Sequence, residues 1–262
     1  MLFILVPPLA FFAISLTSKL NIGVRHILPI YAFFIVVAAV GAIWMSRKFY
    51  YFRYVLIALL IFHAFTAFRT APNYIAFAND FFGGTNNSYR AFRDSSSEWG
   101  QNYKLINEYL KRENITDCWF AGIGNLEVMR VSQPCRILPD RQLGGFVSQL
   151  NEIAPPVIEG TILVSINNLP PRGDEYSAFW QAQPVDQIGG TIFVYRGRFE
   201  MPNVAALSRV VRANQLFRFN RLEEAIVEGR AAVELAPADA RTHLALGLAL
   251  LRAEKKDEAR KE

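Results

Sequence analysis

A membrane-embedded helical region of about three spans, followed by a small α/β domain and an α-helical repeat tail, is the fold class this sequence predicts. Three observations carry it. The mean hydropathy of +0.16 is high for a soluble chain of 262 residues, and the apolar excess is concentrated before residue 70. Between about 94 and 200, short β-rich runs alternate with a helical pattern and with Gly/Pro punctuation. Beyond 200, small residues recur at an offset of 34. The implied organisation is a transmembrane region over 1–70, an interfacial loop over 71–93, an extracytoplasmic α/β domain over 94–200, and repeats over 201–262.

Charge follows the same division. Residues 1–93 hold eight Lys/Arg against one acid, 94–200 nine against thirteen, and 201–262 eleven against nine. The basic excess therefore flanks the membrane, and the α/β region is net acidic. That distribution argues against a nucleic-acid partner, which needs a basic soluble face.

Three apolar runs define the membrane region: Met1 to Leu16, Ile27 to Trp44, and Tyr54 to Phe68. A span needs roughly 17 to 25 residues. The second run meets this directly, and the third does so if Arg53 snorkels to the interface and Tyr50 to Phe52 are included. The first lacks a basic leader and a small-residue cleavage site, so it does not read as a signal peptide. Its Pro7 and Pro8 predict a kink or a broken segment. The link "MSRKFYYFR" carries Arg47, Lys48 and Arg53, which places it in the cytoplasm and everything after Phe68 outside. The segment from Ala71 to Phe92, rich in aromatics, Asn and Gly, reads as lying along the membrane surface.

In the α/β region, "YKLINEYLKREN" has helical spacing, while "DCWFAG", "CRILP", "GTILVSINN" and "GTIFVYRGRF" read as strands of a mostly parallel sheet. The two cysteines, Cys118 and Cys135, stand at the starts of two of these strands; a disulfide and two buried free thiols are both compatible with that placement. His26, His63 and His243 are scattered, so no metal site is predicted, and no cofactor motif is identified. "GIGNLE" lacks the full glycine fingerprint and reads as a strand-to-helix turn. Asn114-Ile-Thr116 matches a glycosylation acceptor, a match expected by chance in a bacterial protein. "RDSSSEWGQN" poses a sharper question, because Asp94 and Glu98 could be an acid/base pair. Ser95 with Glu98 instead fits S-x-x-E ahead of a helical pattern, a capping box, and neither a third orienting group nor a pocket is legible to favour catalysis.

In the tail, Ala213, Leu216, Ala225, Ala232 and Pro237 are followed 34 residues later by Gly247, Leu250 and Ala259, which match the first three. This resembles the tetratricopeptide repeat, with small residues where paired helices cross and a proline closing the second helix. Arg209 stands where that pattern favours a large apolar residue. One repeat is complete, about 206–239, and the next stops within its second helix, so both termini read as cuts, or the repeat leans on the α/β domain.

"NIGVRHILPIYAF" resembles the N-x-G-x-R-[YH]-x-L-P-x-[YF] stretch of polytopic glycosyltransferases of family 39, related to dolichyl-phosphate-mannose protein mannosyltransferases. "YIAFANDFFGG" with "YRAFRDSSSEWGQN" resembles the sequence after the last spans of bacterial members, with Ser96 for the usual Asn and Glu98 for Asp. The resemblance implies an integral protein of the bacterial inner membrane that transfers a sugar from a polyprenyl-phosphate donor, with its soluble domains outside. The family's catalytic Asp lies in an earlier loop that this sequence does not match, so the fragment is expected to be inactive alone; whether the intact enzyme uses a divalent metal stays open. Arg25, assisted by His26 or Lys19, is placed to grip the donor's lipid phosphate, with an interfacial anchor as the alternative role. The alternative function is a membrane-anchored scaffold whose repeats bind a protein partner.

Overall fold

The computed structural model describes residues 2–17, 27–90, 97–122, 134–139, 152–169 and 175–262, in two compact units divided between Thr85 and Asn86. The first unit holds α1 (Leu2–Leu16), α2 (Leu28–Lys48) and α3 (Phe52–Thr70). At about 1.5 Å per residue, the 21 residues of α2 and the 19 of α3 approach the roughly 30 Å of a hydrocarbon layer. Both are long and apolar enough to cross a membrane. The predicted first span is shorter: α1 has 15 residues, with Pro7 and Pro8 inside it. On α2 and α3, Phe34, Ile35, Val40, Ile43, Leu59, Leu60, Ile61 and Phe65 are all exposed, so their apolar surface is not used to build a core within the chain. Arg53, expected at the edge of the third span, lies in the first turn of α3, and only Phe49 to Tyr51 separate α3 from α2.

The second unit is built on a five-stranded sheet: β1 (Cys118–Ala121), β2 (Cys135–Ile137), β3 (Val157–Ser165), β4 (Asp186–Ile188) and β5 (Ile192–Glu200), in spatial order β2-β1-β3-β5-β4. β1 pairs in parallel with β2 and β3, whereas β5 is antiparallel to both β3 and β4. The sheet is therefore mixed, correcting the expectation of a mostly parallel one. The cause is local. Gly189 and Gly190, at φ 58° and 75°, turn β4 directly back into β5, and a tight turn with two positive φ values joins antiparallel strands only.

Alternation along each strand separates two faces. Cys118, Phe120, Leu163, Ile192 and Val194 pack under α4 (Tyr103–Arg112) through its buried Ile106, Tyr109 and Leu110. Asn114, at φ 52°, follows that helix, and Ile115 N–H bonds back to the Leu110 carbonyl at 2.9 Å. On the opposite face, Trp119, Ile162, Val164, Phe193 and Tyr195 meet Tyr176, Phe179, Met201 and Val204.

Val204 belongs to α5 (Pro202–Arg218), which roofs the sheet and then runs on into a helical stack with α6 (Leu222–Leu235), α7 (Ala240–Arg252) and the short α8 (Lys256–Ala259). The offset of 34 recurs in the backbone. Asn220 and Glu254 take φ 59° and 63° after α5 and α7. Arg221 N–H bonds Leu216 O at 2.9 Å, and Lys255 N–H bonds Leu250 O at 3.0 Å. Ala213, Ala225 and Ala232 are fully buried, as helices crossing closely require. A Cβ on Gly229 would meet the backbone of Leu246 at 3.0 Å. Gly247 and the half-buried Ala259 face each other, and Pro237, just beyond α6, offers its carbonyl to His243. Arg209, the exception in the apolar pattern, pairs with Glu228 at 2.7 Å across α5 and α6.

Candidate functional site

Because β1, β2 and β3 run in parallel, their carboxyl ends share one edge of the sheet. The register Ser165↔Ile192 and Ile188↔Ile192 brings the β4–β5 turn to the same edge. In open sheets with parallel strands this edge is where ligands bind, and here it gathers a buried polar cluster.

At the end of β3, Ser165 Oγ accepts from Asn167 N–H at 3.3 Å, and Asn167 Nδ2 donates to the main-chain carbonyl of Glu98 at 3.2 Å. The Glu98 side chain, 1% exposed, is the centre of the cluster. Its Oε1 accepts from Gly100 N–H at 2.6 Å, and its Oε2 accepts from Asn102 Nδ2 at 2.9 Å and from the Thr191 hydroxyl. Asn102 Nδ2 also donates to Thr191 Oγ1 at 2.7 Å. The loop closes on itself, with Gln101 Nε2 donating to Ser97 O and Trp99 N–H donating to Gln101 Oε1. Gly189 is fitted to this arrangement: a Cβ there would lie 2.3 Å from Asn102 Oδ1.

The electrostatics follow from burial. Loss of water pushes the Glu98 carboxyl above its ordinary value, against the opposing pull of Thr191, Gly100 and Asn102. The Tyr103 hydroxyl is pushed up to about 12, by burial first and then by the charge on Glu98. The donors named here turn the carboxyl's acceptor capacity toward the chain itself, binding the loop 97–102 to the end of β3 and to the β4–β5 turn.

The capping-box expectation is thereby corrected for Glu98. Ser95 and Asp94 lie outside the described residues, but α4 begins at Tyr103, and its N-cap residue Asn102 makes no capping bond with its side chain. Gly100, at φ 83°, turns the chain left-handed before the helix starts, so Glu98 cannot occupy its first turn. Sequence reasoning misses Asn102, Asn167 and Thr191 as members of the cluster. The one local signal is their polarity beside strand ends, in "SINN" and "GGTI".

The cysteines do come together. Cys118 and Cys135 are register partners on adjacent parallel strands and form a disulfide. Lys19, Arg25 and His26 lie outside the described residues, as does all of "GIGNLE" after Gly122. Among the described residues, no group of three or more His, Cys, Asp or Glu is arranged to hold a metal. No family model, curated protein or solved structure matches the chain.

Proposed function

We propose that the chain is the C-terminal portion of a membrane glycosyltransferase that moves a sugar from a polyprenyl-phosphate donor, and that this portion anchors and positions without reacting. The observation that carries this reading is the state of the carboxylate in "SSSEWGQN". Glu98 is buried and bonded to its own chain, the arrangement of a structural residue, and a general base must reach a substrate proton. In this reading α1 completes a set of three spans, and α5 to α8 are tetratricopeptide repeats, supported by the recurrence of their terminating bonds at an offset of 34. The soluble unit lies outside the cytoplasm of a bacterium, where the Cys118–Cys135 bridge persists. Arg25 grips the donor phosphate. The test is binding of a polyprenyl-phosphate sugar to the full chain in nanodiscs: Arg25→Ala is expected to weaken it at least about tenfold, the scale of a lost charge-assisted pair. Equal affinity in both proteins refutes the reading.

A second reading, a membrane-anchored scaffold for a protein partner, is favoured by the exposed stripe of Leu244, Leu248 and Leu251 on α7. It predicts no donor binding by either protein.

A further inference from the structure

The turn between α2 and α3 concentrates cations and aromatic rings without an acid. Arg47 and Lys48 close α2, and Arg53 stands in the first turn of α3. Neither helix contains an acidic residue, nor does the link between them. The side chains are arranged, not merely adjacent. Lys48 Nζ lies 4.8 Å from the Trp44 ring centre and 5.5 Å from that of Phe49, and the Arg53 guanidinium lies 3.8 Å from the Tyr50 ring centre. Tyr50 stacks edge-on with Tyr51 and Tyr54, and its hydroxyl bonds that of Tyr54 at 3.0 Å. Arg53 Nε also donates to the Tyr50 carbonyl at 3.1 Å, which holds the guanidinium at the turn. Trp44, Phe49, Tyr50, Tyr51 and Tyr54 are all exposed.

The opposite end of α3 makes the contrast. There Arg69 pairs with Asp80 at 3.5 Å, and Asp80 is the one acid in residues 1–93. Among the described residues, Arg47, Lys48 and Arg53 meet no carboxylate, and Lys48 and Arg53 lie against aromatic faces. Aromatic rings at the interface set depth, and cations there attract phosphates of anionic lipids.

We propose that the α2–α3 turn is a docking surface for the headgroups of anionic phospholipids, with Arg47, Lys48 and Arg53 engaging phosphate and the tyrosine cluster holding Arg53 in place. The inference rests on the reading of α2 and α3 as membrane spans and deepens it. Each cation near an anionic surface favours the lipid by roughly fivefold.

The full chain is reconstituted in nanodiscs of phosphatidylcholine containing phosphatidylglycerol as a minor component, and the lipids retained on gentle delipidation are counted by native mass spectrometry. The wild type is expected to retain phosphatidylglycerol at least about tenfold above its bulk share. The Arg47→Gln/Lys48→Gln/Arg53→Gln variant is expected to return to the bulk share, and Arg69→Gln to behave as wild type. A wild type at the bulk share overturns the proposal. So does an equal loss in Arg69→Gln, which would trace the effect to total charge and not to this turn. Alkaline extraction of the same membranes separates the two levels: a chain that stays embedded but shows no enrichment sinks only the lipid site, whereas a chain released into solution sinks the span reading and the site together.

Discussion

Replacing Glu98 tests the central cluster most directly. Glu98→Ala removes the acceptor of Gly100 N–H, Asn102 Nδ2 and the Thr191 hydroxyl. Stranding a donor costs about 1–3 kcal/mol where it is buried, and relief of the desolvated charge offsets part of the total, so a net loss of about 3 kcal/mol is expected. For a unit of this size a kilocalorie shifts Tm by about 2–4 °C, giving a fall of about 6–12 °C. Glu98→Gln should behave differently. Among the described residues, Asn102 Oδ1 is buried without a hydrogen-bond partner, so a flipped Asn102 amide can accept from the introduced glutamine amide while Gly100 N–H keeps an acceptor. That variant should stay within about 1 kcal/mol of wild type near neutral pH. The pH dependence has a definite sign. Because burial raises the Glu98 value in the folded state, its contribution is fully present below the ordinary carboxylate range and is lost as pH rises through the folded value. The gap between wild type and Glu98→Gln should therefore move against wild type with rising pH. Thermal unfolding of the full chain in detergent, followed by near-ultraviolet circular dichroism at several pH values, reads all of this. Equal losses in the two variants, or a gap independent of pH, would refute the account of a buried, chain-satisfied carboxyl.

Gly189→Ala should lose about 2–3 kcal/mol in denaturant titration, because it adds a clash with Asn102 to the strain of φ 58°, whereas Gly160→Ala, at φ 105° with open space around it, should show the strain alone. Reducing the Cys118–Cys135 bridge, or replacing both residues with Ala, should cost about 3 kcal/mol by restoring freedom to a loop with a sequence separation of 17, measured as a lowered unfolding midpoint. Glu254→Asn should stabilise the helical stack by about 0.5–1 kcal/mol, since Glu254 holds φ 63° where the equivalent position 34 residues earlier already has Asn. An unchanged melting curve for Glu254→Asn would show that the left-handed turn carries no strain.

What the sequence reveals divides along range. The apolar runs of α2 and α3, the helix α4, and four of the five strands are legible because each is an intrasegment pattern: continuous apolarity, helical spacing, or a short β-rich run as in Cys118 to Ala121. The offset of 34 is legible for the same reason, and it returns in the paired helix ends at Asn220 and Glu254. β4 escapes because Asp186-Gln187-Ile188 offers one apolar residue, too little to register as a strand. The sheet's mixed direction depends on whether "IGG" is punctuation or a hairpin, and only pairing with β3 decides. Glu98 is the clearest case. Its partner Thr191 is 93 residues away and Asn167 is 69 residues away, so no local window could show that the glutamate faces a β-turn. S-x-x-E has the spacing of a cap, but Gly100 keeps the helix from starting there.

The continuity of α5 has a mechanical meaning. Its first turns are clamped to the sheet through Met201 and Val204, with Ala154 N–H bonded to Ser208 Oγ at 3.1 Å, and its last turns open the helical stack. The stack has a second tie to the sheet region, where Arg241 in the first turn of α7 pairs with the buried Glu175 at 2.7 Å. Fraying should therefore advance from α8 and meet its first resistance at the start of α7, while α5 can melt only with the sheet. A load applied to the outermost helices would reach the sheet along two separate struts, not as a diffuse loosening of the whole.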